Sequence, residues 1–336
     1  MSLSEKIRVA VLYGGRSAEH EVSLRSAANV MQFLDSTQFD IVPIGIDKQG
    51  NWLLGSDVFK ASLEAQQVKQ LDQGTWFTPE WAGKAVPQTV KNELTTKDKP
   101  FDVVFPVVHG TLCEDGTLQG LLELAGLPYV GCGVLASAVG MDKDFSKRVA
   151  MLAGIPVAPF VVIKAGEWRK HRRQFEEAIQ ELGFPLFVKP ANTGSSVGIS
   201  RIKSAAQLEQ AVNEAFRFDT KLVIEKALDI VELEVAVLEA LTDGDEPIVS
   251  VVGEIRPTTE EFYSYTAKYV DDNGADLIIP APLDASILEK ARQVAGQLFK
   301  LLDCEGMARI DLFYNKTDGE IYFNEVNTIP GFTKIS

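Results

Sequence analysis

The fold is decided near the carboxyl end, by Gly306-Met307-Ala308-Arg309-Ile310-Asp311-Leu312-Phe313 and Glu320-Ile321-Tyr322-Phe323-Asn324-Glu325-Val326-Asn327-Thr328. Both segments are rich in strand-forming residues, and Asp318-Gly319 between them is typical of a β-hairpin turn. Residues two apart in a strand share a face. On one face of each of these two strands, polar side chains therefore interrupt an otherwise apolar row. These faces carry Met307, Arg309, Asp311 and Phe313 on one strand, and Ile321, Phe323, Glu325 and Asn327 on the other. We expect the polar groups to lie opposite one another across the hairpin.

Charged side chains in such positions are costly unless they are paired or bind a metal. Carboxylate and amide oxygens at close quarters suit Mg²⁺, and an adjacent arginine suits a developing negative charge. The alternative is an ordinary buried ion pair in which Arg309 binds Asp311 or Glu325. The hairpin taken alone favours the functional centre but leaves the ion pair open.

Composition limits the class of protein. The 336 residues are 46% hydrophobic and 24% charged, which is ordinary for a globular protein of two or three domains. The net charge of −14 argues against nucleic acid and anionic membranes as partners. The three cysteines contain no CxxC pair and no apolar run approaches a membrane span, so we expect free thiols and a cytoplasmic protein.

Alternating strand and helix patterns predict the domain organisation. The first ~140 residues alternate in the manner of an open, mostly parallel sheet. Two further units follow, and the last of them is rich in strands. The predicted fold is therefore α/β, with α+β character in the last two units, and we expect divisions at 1–140, 141–228 and 229–336.

Two loops follow buried-type strands and could bind ligands. Val188–Gly198 contains Lys189 and a small, hydroxyl-rich turn whose N–H groups could approach phosphate, and its alternative is a plain hairpin loop with a solvated lysine. Gly14–Ser23 contains Glu19, which could bind a substrate ammonium or merely balance a helix dipole. His109, just past another strand, is more often a hydrogen-bonded loop residue than a base. The tyrosine-rich Phe262–Tyr269 is either a closing loop or an aromatic segment that simply packs.

Seven motifs in this order resemble the D-alanine–D-alanine ligase family of the ATP-grasp superfamily over essentially the whole chain. They are GGxSAExEVS at Gly14–Ser23, His109-Gly110 with EDGTLQG at Glu114–Gly120, Met141-Asp142-Lys143, VKPxxxGSSVG at Val188–Gly198, AKY at Ala267–Tyr269, MARIDLF at Met307–Phe313 and NEVNTxPG at Asn324–Gly331. The resemblance implies a Rossmann-like substrate domain followed by two ATP-grasp domains that sandwich ATP.

The resemblance also implies the site residues. ATP would be bound by three lysines, two serines of the glycine-rich lid, an adenine-reading strand segment, a ribose-binding glutamate and the last strand: Lys143, Lys189, Lys268, Ser195, Ser196, Glu225, Lys226, Ala227, Leu228, Glu232, Asn324 and Glu325. Two Mg²⁺ or Mn²⁺ ions would be bound by Asp311, Glu325 and Asn327. Glu19 would hold the first D-alanine, and Glu19, Ser195 and Tyr269 would together fasten the closing loop. Arg309 and the Gly331 N–H would stabilise the oxyanion, and His109 and Ser336 would contact substrate.

The implied reaction is ATP-dependent joining of two D-alanine molecules through an acyl phosphate, for peptidoglycan precursors, in a cytoplasmic homodimer. One alternative is a D-alanine–D-lactate ligase or another ATP-grasp carboxylate–amine ligase, against which Tyr269 argues within the resemblance. The other is a nucleotide-binding module without catalysis. Arg309 argues against that module, because binding ATP alone needs no oxyanion arginine.

Overall fold

The structure, a computed structural model, describes residues 6–17, 19–54, 75–77, 101–242, 244–258 and 275–333. Lys268, Tyr269 and Ser336 lie outside these residues. The chain divides into two compact units, residues 1–134 together with 329–336, and residues 135–328. Among the described residues, no helix has the length and apolar character needed to cross a bilayer.

The first unit is built on a five-stranded sheet in the order β4-β3-β2-β1-β5. Its strands are β1 Ile7–Gly14, β2 Phe39–Ile46, β3 Trp52–Leu54, β4 Thr75–Phe77 and β5 Val103–Pro106. β1 pairs in parallel with both β2 and β5, as the apolar run from Val9 to Leu12 predicts. Two helices, α1 His20–Phe33 and α2 Thr117–Leu124, follow β1 and β5. The carboxyl ends of β1 and β5 therefore share one edge of the sheet, where ligands of open α/β sheets bind.

The second unit contains a four-stranded antiparallel sheet in the order β6-β9-β7-β8. Its strands are β6 Phe160–Lys164, β7 Leu186–Pro190, β8 Ser200–Ile202 and β9 Lys221–Lys226. The helices of this part of the chain are α3 Val134–Met141, α4 Lys143–Leu152, α5 Ala165–Leu182 and α6 Leu208–Ala215. Apolar residues of α5 and α6, including Ile179 and Val212, form one core with the buried face of the sheet.

A larger antiparallel sheet completes the second unit, in the order β13-β12-β10-β14-β15 with β11 also paired to β10. Its strands are β10 Ile230–Leu238, β11 Ile248–Val249, β12 Gly253–Pro257, β13 Ala275–Ile278, β14 Met307–Asn315 and β15 Ile321–Asn327, and α7 Ala285–Leu301 precedes β14. The first sheet is parallel at β2, β1 and β5 and antiparallel at β3 and β4, and the other two sheets are antiparallel, which together with the helices confirms the predicted α/β fold.

The predicted carboxyl-terminal hairpin is β14 and β15, and it contains one irregularity. Asp311 lies opposite Glu325, but the next residue, Leu312, lies opposite Phe323. Asn324 is thus the extra residue of a β-bulge. The bulge makes part of the face prediction wrong, because strict alternation placed Phe323 and Ile321 on the face of Glu325. Phe323 instead pairs with Leu312, and both are wholly buried.

Candidate active site

A row of three carboxylates crosses the large sheet at its centre. Asp311 on β14 lies opposite Glu325 on β15 and opposite Glu234 on β10. Like charges directly opposite one another in a sheet are destabilising. Sequence analysis missed Glu234, although its i+2 spacing from Glu232 within an apolar strand was a usable signal. The three carboxylates concentrate negative charge in one place, and a neighbouring positive charge would stabilise them.

Arg309 supplies one such charge. Its Nε and Nη2 atoms each donate to a different oxygen of Asp311 at 2.7 Å, and Nη2 lies 3.3 Å from Glu234 Oε1. Asn327, opposite Arg309 across the hairpin, donates from Nδ2 to Asp311 Oδ2 at 3.0 Å. The ion pair between Arg309 and Asp311 that the sequence left open is therefore present.

The electrostatic balance still opposes ionisation of Asp311. Burial raises the pKa of Asp311 to about 6, with Glu234 and Glu325 adding to the rise and Arg309 opposing it. The paired arginine therefore does not fully offset desolvation and the neighbouring carboxylates. The centre holds more negative charge than Arg309 offsets. A purely structural ion pair does not explain that excess.

The donor set fits a divalent cation in kind. Asp311, Glu325 and Asn327 offer two carboxylates and an amide oxygen, which are the hard ligands that Mg²⁺ prefers. Within the described ranges, no group of three or more His, Cys, Asp or Glu side chains is arranged as a metal site. Both Asp311 oxygens accept bonds from Arg309, so metal binding by Asp311 requires that carboxylate to be shared with Arg309 or released by it.

Two predicted phosphate lysines lie in the same unit. Lys143 begins α4, and its Nζ donates to Thr193 O at 2.7 Å and lies 3.6 Å from Glu325 Oε2. Lys189 near the end of β7 donates to Glu225 Oε1 at 3.1 Å. Lys189 is buried and paired, so the alternative of a solvated lysine is wrong.

The loop between β7 and β8 is a hairpin loop of unusual backbone shape. Ser195 and Ser196 have φ angles of 50° and 58°, in the left-handed region that non-glycine residues seldom occupy. Gly198 has φ +73°, and a Cβ there would approach Phe218 to 2.6 Å. Consecutive residues of this kind turn backbone N–H groups inward and can form an anion-binding concavity.

The predicted adenine and ribose residues occupy β9 and β10. The N–H groups of Lys226 and Ala227 donate to Pro159 O and Pro185 O at 2.9 and 3.1 Å, so they are not the groups that would meet a base. The Glu225 carboxylate is directed at lysines rather than at solvent. Glu232 lies half-buried on β10, opposite Phe313. Leu228 follows β9, and Asn324 is the bulge residue of β15.

The first unit contains the predicted substrate residues Glu19, His109 and Gly331. Glu19 precedes α1 and is buried, and its side chain makes no capping hydrogen bond to that helix. Both His109 ring nitrogens are engaged, Nδ1 with Ile329 O at 3.1 Å and Nε2 with Ser26 Oγ at 3.3 Å. His109 therefore fits the interpretation as a hydrogen-bonded loop residue that holds residues 329–332, which include Gly331.

Comparison with known proteins identifies the family. Residues 8–132 match the family model described as D-ala D-ala ligase N-terminus, and residues 149–336 match the model described as D-ala D-ala ligase C-terminus. The chain belongs to the D-alanine–D-alanine ligase family.

Individual relatives cover nearly the whole chain. A D-alanine–D-alanine ligase of Caldicellulosiruptor bescii is 48% identical over 334 residues, which are 98% of this chain and 88% of the relative. D-alanine–D-alanine ligase A of Escherichia coli K12 is 44% identical over 99% of this chain and 89% of its own length. The solved VanG D-Ala:D-Ser ligase from Enterococcus faecalis superposes with a TM-score of 0.80 at 37% identity, covering 99% of this chain and 93% of that one. The D-alanine–D-alanine ligase family is ATP-dependent and uses D-alanine.

A glycine in the first unit controls the position of the Glu19 carboxylate. Gly110 has φ +79°, and a Cβ there would lie 2.5 Å from Glu19 Oε2. Gly110→Ala should cost about 1–2 kcal/mol of stability through its left-handed backbone. It should also displace Glu19 and raise KM for D-alanine by up to about 100-fold, the scale of a 1 Å misplacement. Steady-state kinetics and thermal unfolding would check both. A control at Gly120, where an added Cβ meets nothing within 4 Å, should leave KM unchanged; equal KM changes in the two variants would contradict the prediction.

Cys113 is buried close to Gly110, and we expect its thiol to react slowly. Burial, with Glu114, Asp115 and Glu19 adding to it, raises the pKa of Cys113 to about 12. The reactive form of cysteine is the thiolate, so native protein near neutral pH should react slowly with a thiol reagent. All three cysteines are buried thiols outside any disulfide, and all three should react once the chain is unfolded in concentrated guanidinium chloride. Rapid native labelling mapped to Cys113 by mass spectrometry would contradict this.

Proposed function

We propose that this protein joins two D-alanine molecules into D-alanyl-D-alanine, with conversion of ATP to ADP and phosphate. The observation that carries the proposal is the centre on β14 and β15, where Arg309 is held among Asp311, Glu234 and Asn327. A nucleotide-binding module without catalysis has no need for an arginine placed to stabilise an oxyanion.

The proposed chemistry proceeds in two steps. The carboxylate of the first D-alanine attacks the γ-phosphate of ATP, giving an acyl phosphate and ADP. The amine of the second D-alanine attacks that acyl carbon, and phosphate leaves as the peptide bond forms. No covalent bond to the protein is needed, which agrees with the raised pKa of Cys113.

Screening of phosphate charge is the main task of the second unit in this proposal. Bringing a carboxylate to a phosphoryl group joins two anions, so positioning and positive charge must supply most of the rate. Lys143 and Lys189 would bind ATP phosphates, together with Lys268, and Ser195 and Ser196 would contribute from their loop. Asp311, Glu325 and Asn327 would hold Mg²⁺, which would neutralise charge on the phosphate oxygens. Glu225 to Leu228, Glu232 and Asn324 complete the proposed nucleotide site.

Arg309 would stabilise the oxyanion of the second step. A guanidinium carries five N–H donors, so its pairing with Asp311 does not by itself prevent donation to an oxyanion. The Gly331 N–H is the proposed second donor. Glu19 would bind the ammonium of the first D-alanine, Tyr269 with Ser195 would fasten the closing loop, and His109 and Ser336 would complete the substrate contacts.

A phosphate-release assay tests the function. With ATP and Mg²⁺, D-alanine should give turnover, whereas D-lactate or D-serine as second substrate should give much less. A preference for D-lactate at neutral pH would favour the depsipeptide ligase. ATP binding without any D-alanine-dependent phosphate release would favour the non-catalytic module.

The remaining proposals concern context. We propose divisions at 1–140, 141–228 and 229–336, the last two sandwiching ATP, and a homodimer that forms through the first domain. Because the reaction consumes ATP, we propose that it takes place in the cytoplasm and supplies peptidoglycan synthesis. Size-exclusion chromatography with light scattering would test the dimer.

A further inference from the structure

Lys147 is the most deeply buried charged group that the proposed reaction does not use. Its side chain is wholly enclosed, and it lies on α4 one turn after Lys143, on the same buried face of that helix. Lysines are almost never fully buried unless paired, so this one requires an explanation. Sequence analysis missed it, although the i+4 spacing from Lys143 was a signal.

The partner of Lys147 is the carboxylate of Glu225 on β9. Lys147 Nζ lies 3.1 Å from Glu225 Oε2, and Lys189 Nζ lies 3.1 Å from the other oxygen, Oε1. One carboxylate thus bridges two ammonium groups that come from α4 and β7. Lys189 is one of the proposed phosphate ligands, whereas Lys147 is not, and its side chain is the more deeply buried of the two.

The charge balance within this trio explains its arrangement. Burial alone would raise the pKa of Glu225, but Lys147 and Lys189 outweigh it and hold that pKa below its usual value. Burial lowers the pKa of Lys147, and Glu225 opposes the fall. Two ammonium groups and one carboxylate together have a net positive charge. An anion bound at Lys189 would balance that charge.

We propose that Lys147 is a positioning residue for nucleotide binding, which pairs with one oxygen of Glu225 and thereby leaves Lys189 in place to contact phosphate. This rests on the proposed function, since it takes Lys189 as a phosphate ligand. Without Lys147, the Glu225 carboxylate has only Lys189 to pair with. The carboxylate then draws the Lys189 ammonium away from the nucleotide.

The experiment measures ADP binding, with Mg²⁺, by calorimetry on full-length protein, alongside KM for ATP and for D-alanine. Lys147→Met should weaken ADP binding and raise KM for ATP about 10–100-fold, the range seen when a group that orients a ligand-binding residue is removed. KM for D-alanine should change little. The double variant Lys147→Met/Glu225→Gln should bind ADP more tightly than Lys147→Met, because no carboxylate then competes for Lys189. Lys147→Gln serves as the single variant if Lys147→Met does not fold.

The matched control is Ile179→Ala, which removes a wholly buried side chain on α5 in the same unit. It should lower the melting temperature without separating the two KM values. Equal effects of Lys147→Met on both KM values, or no recovery in the double variant, would overturn the proposal. Lys189→Met distinguishes failure of the Lys147 proposal from failure of the proposed function. If Lys189→Met weakens ADP binding while Lys147→Met does not, only the Lys147 proposal fails. If wild type binds ADP but does not ligate D-alanine, only the proposed function fails.

Discussion

Arg309→Ala should lower kcat for D-alanine-dependent phosphate release by about 10²–10³-fold, the usual cost of losing one oxyanion donor. ADP binding should be largely kept, because the proposed phosphate ligands are lysines. The loss belongs in kcat rather than in KM for ATP, since the oxyanion exists only after the acyl phosphate has formed. Steady-state assays and calorimetry would separate these two quantities.

Arg309 also holds Asp311, so its removal has a second consequence. The carboxylates of Glu234, Asp311 and Glu325 would lose the cation among them, which raises the pKa of Asp311 still further. Arg309→Lys is the matched control, because it keeps the charge but cannot pair with Asp311 through two parallel bonds. Compared with Arg309→Ala, Arg309→Lys should be more stable, but its kcat should remain close to that of Arg309→Ala. Unchanged turnover in Arg309→Ala would refute the proposed role.

Glu325→Gln should give the second large effect, with opposite consequences for stability and activity. Removing one of two directly opposed carboxylates relieves repulsion with Asp311, so the metal-free variant should be as stable as wild type or more so. The same change removes a proposed Mg²⁺ ligand. The Mg²⁺ concentration for half-maximal turnover should therefore rise by at least about 10–100-fold, the cost of losing an outer-shell partner alone.

A readout other than turnover comes from thermal unfolding in a Mg²⁺ titration. A cation that binds only the folded state raises the melting temperature with its concentration, and Glu325→Gln should lose most of this dependence. Glu320→Gln, an exposed carboxylate paired with Lys290, is the control and should keep it. An unaltered Mg²⁺ dependence in Glu325→Gln would show that Glu325 is no ligand.

Sequence reasoning was most reliable where a pattern repeats along one element. Strand and helix alternation in the first ~140 residues predicted parallel pairing, which is confirmed for β1 with β2 and β5, and Asp318-Gly319 predicted the turn of the hairpin, which is also confirmed. Alternation also placed Asp311 opposite Glu325. It failed beyond that pair, because a bulge inserts one residue without any local signal as strong as glycine or proline.

Contacts between distant segments were out of reach of the same reasoning. Glu234 is 77 residues from Asp311 along the chain, and nothing in either segment specifies that β10 and β14 are neighbours. Likewise, the i+4 spacing places Lys147 on the helix face of Lys143, but nothing in the sequence shows that its partner is Glu225 on β9. The residues missed are therefore those whose meaning depends on a partner from another strand.

The first unit is completed by residues 329–332, which follow the entire second unit along the chain. The Ile329 carbonyl oxygen accepts a hydrogen bond from His109 Nδ1, the Phe332 N–H donates to Ser26 Oγ, and Asn29 Nδ2 donates to the Phe332 carbonyl oxygen. During synthesis, the sheet of β1, β2 and β5 therefore leaves the ribosome long before the segment that supports His109. The earliest part of the chain to be made is the last to acquire its full set of hydrogen bonds.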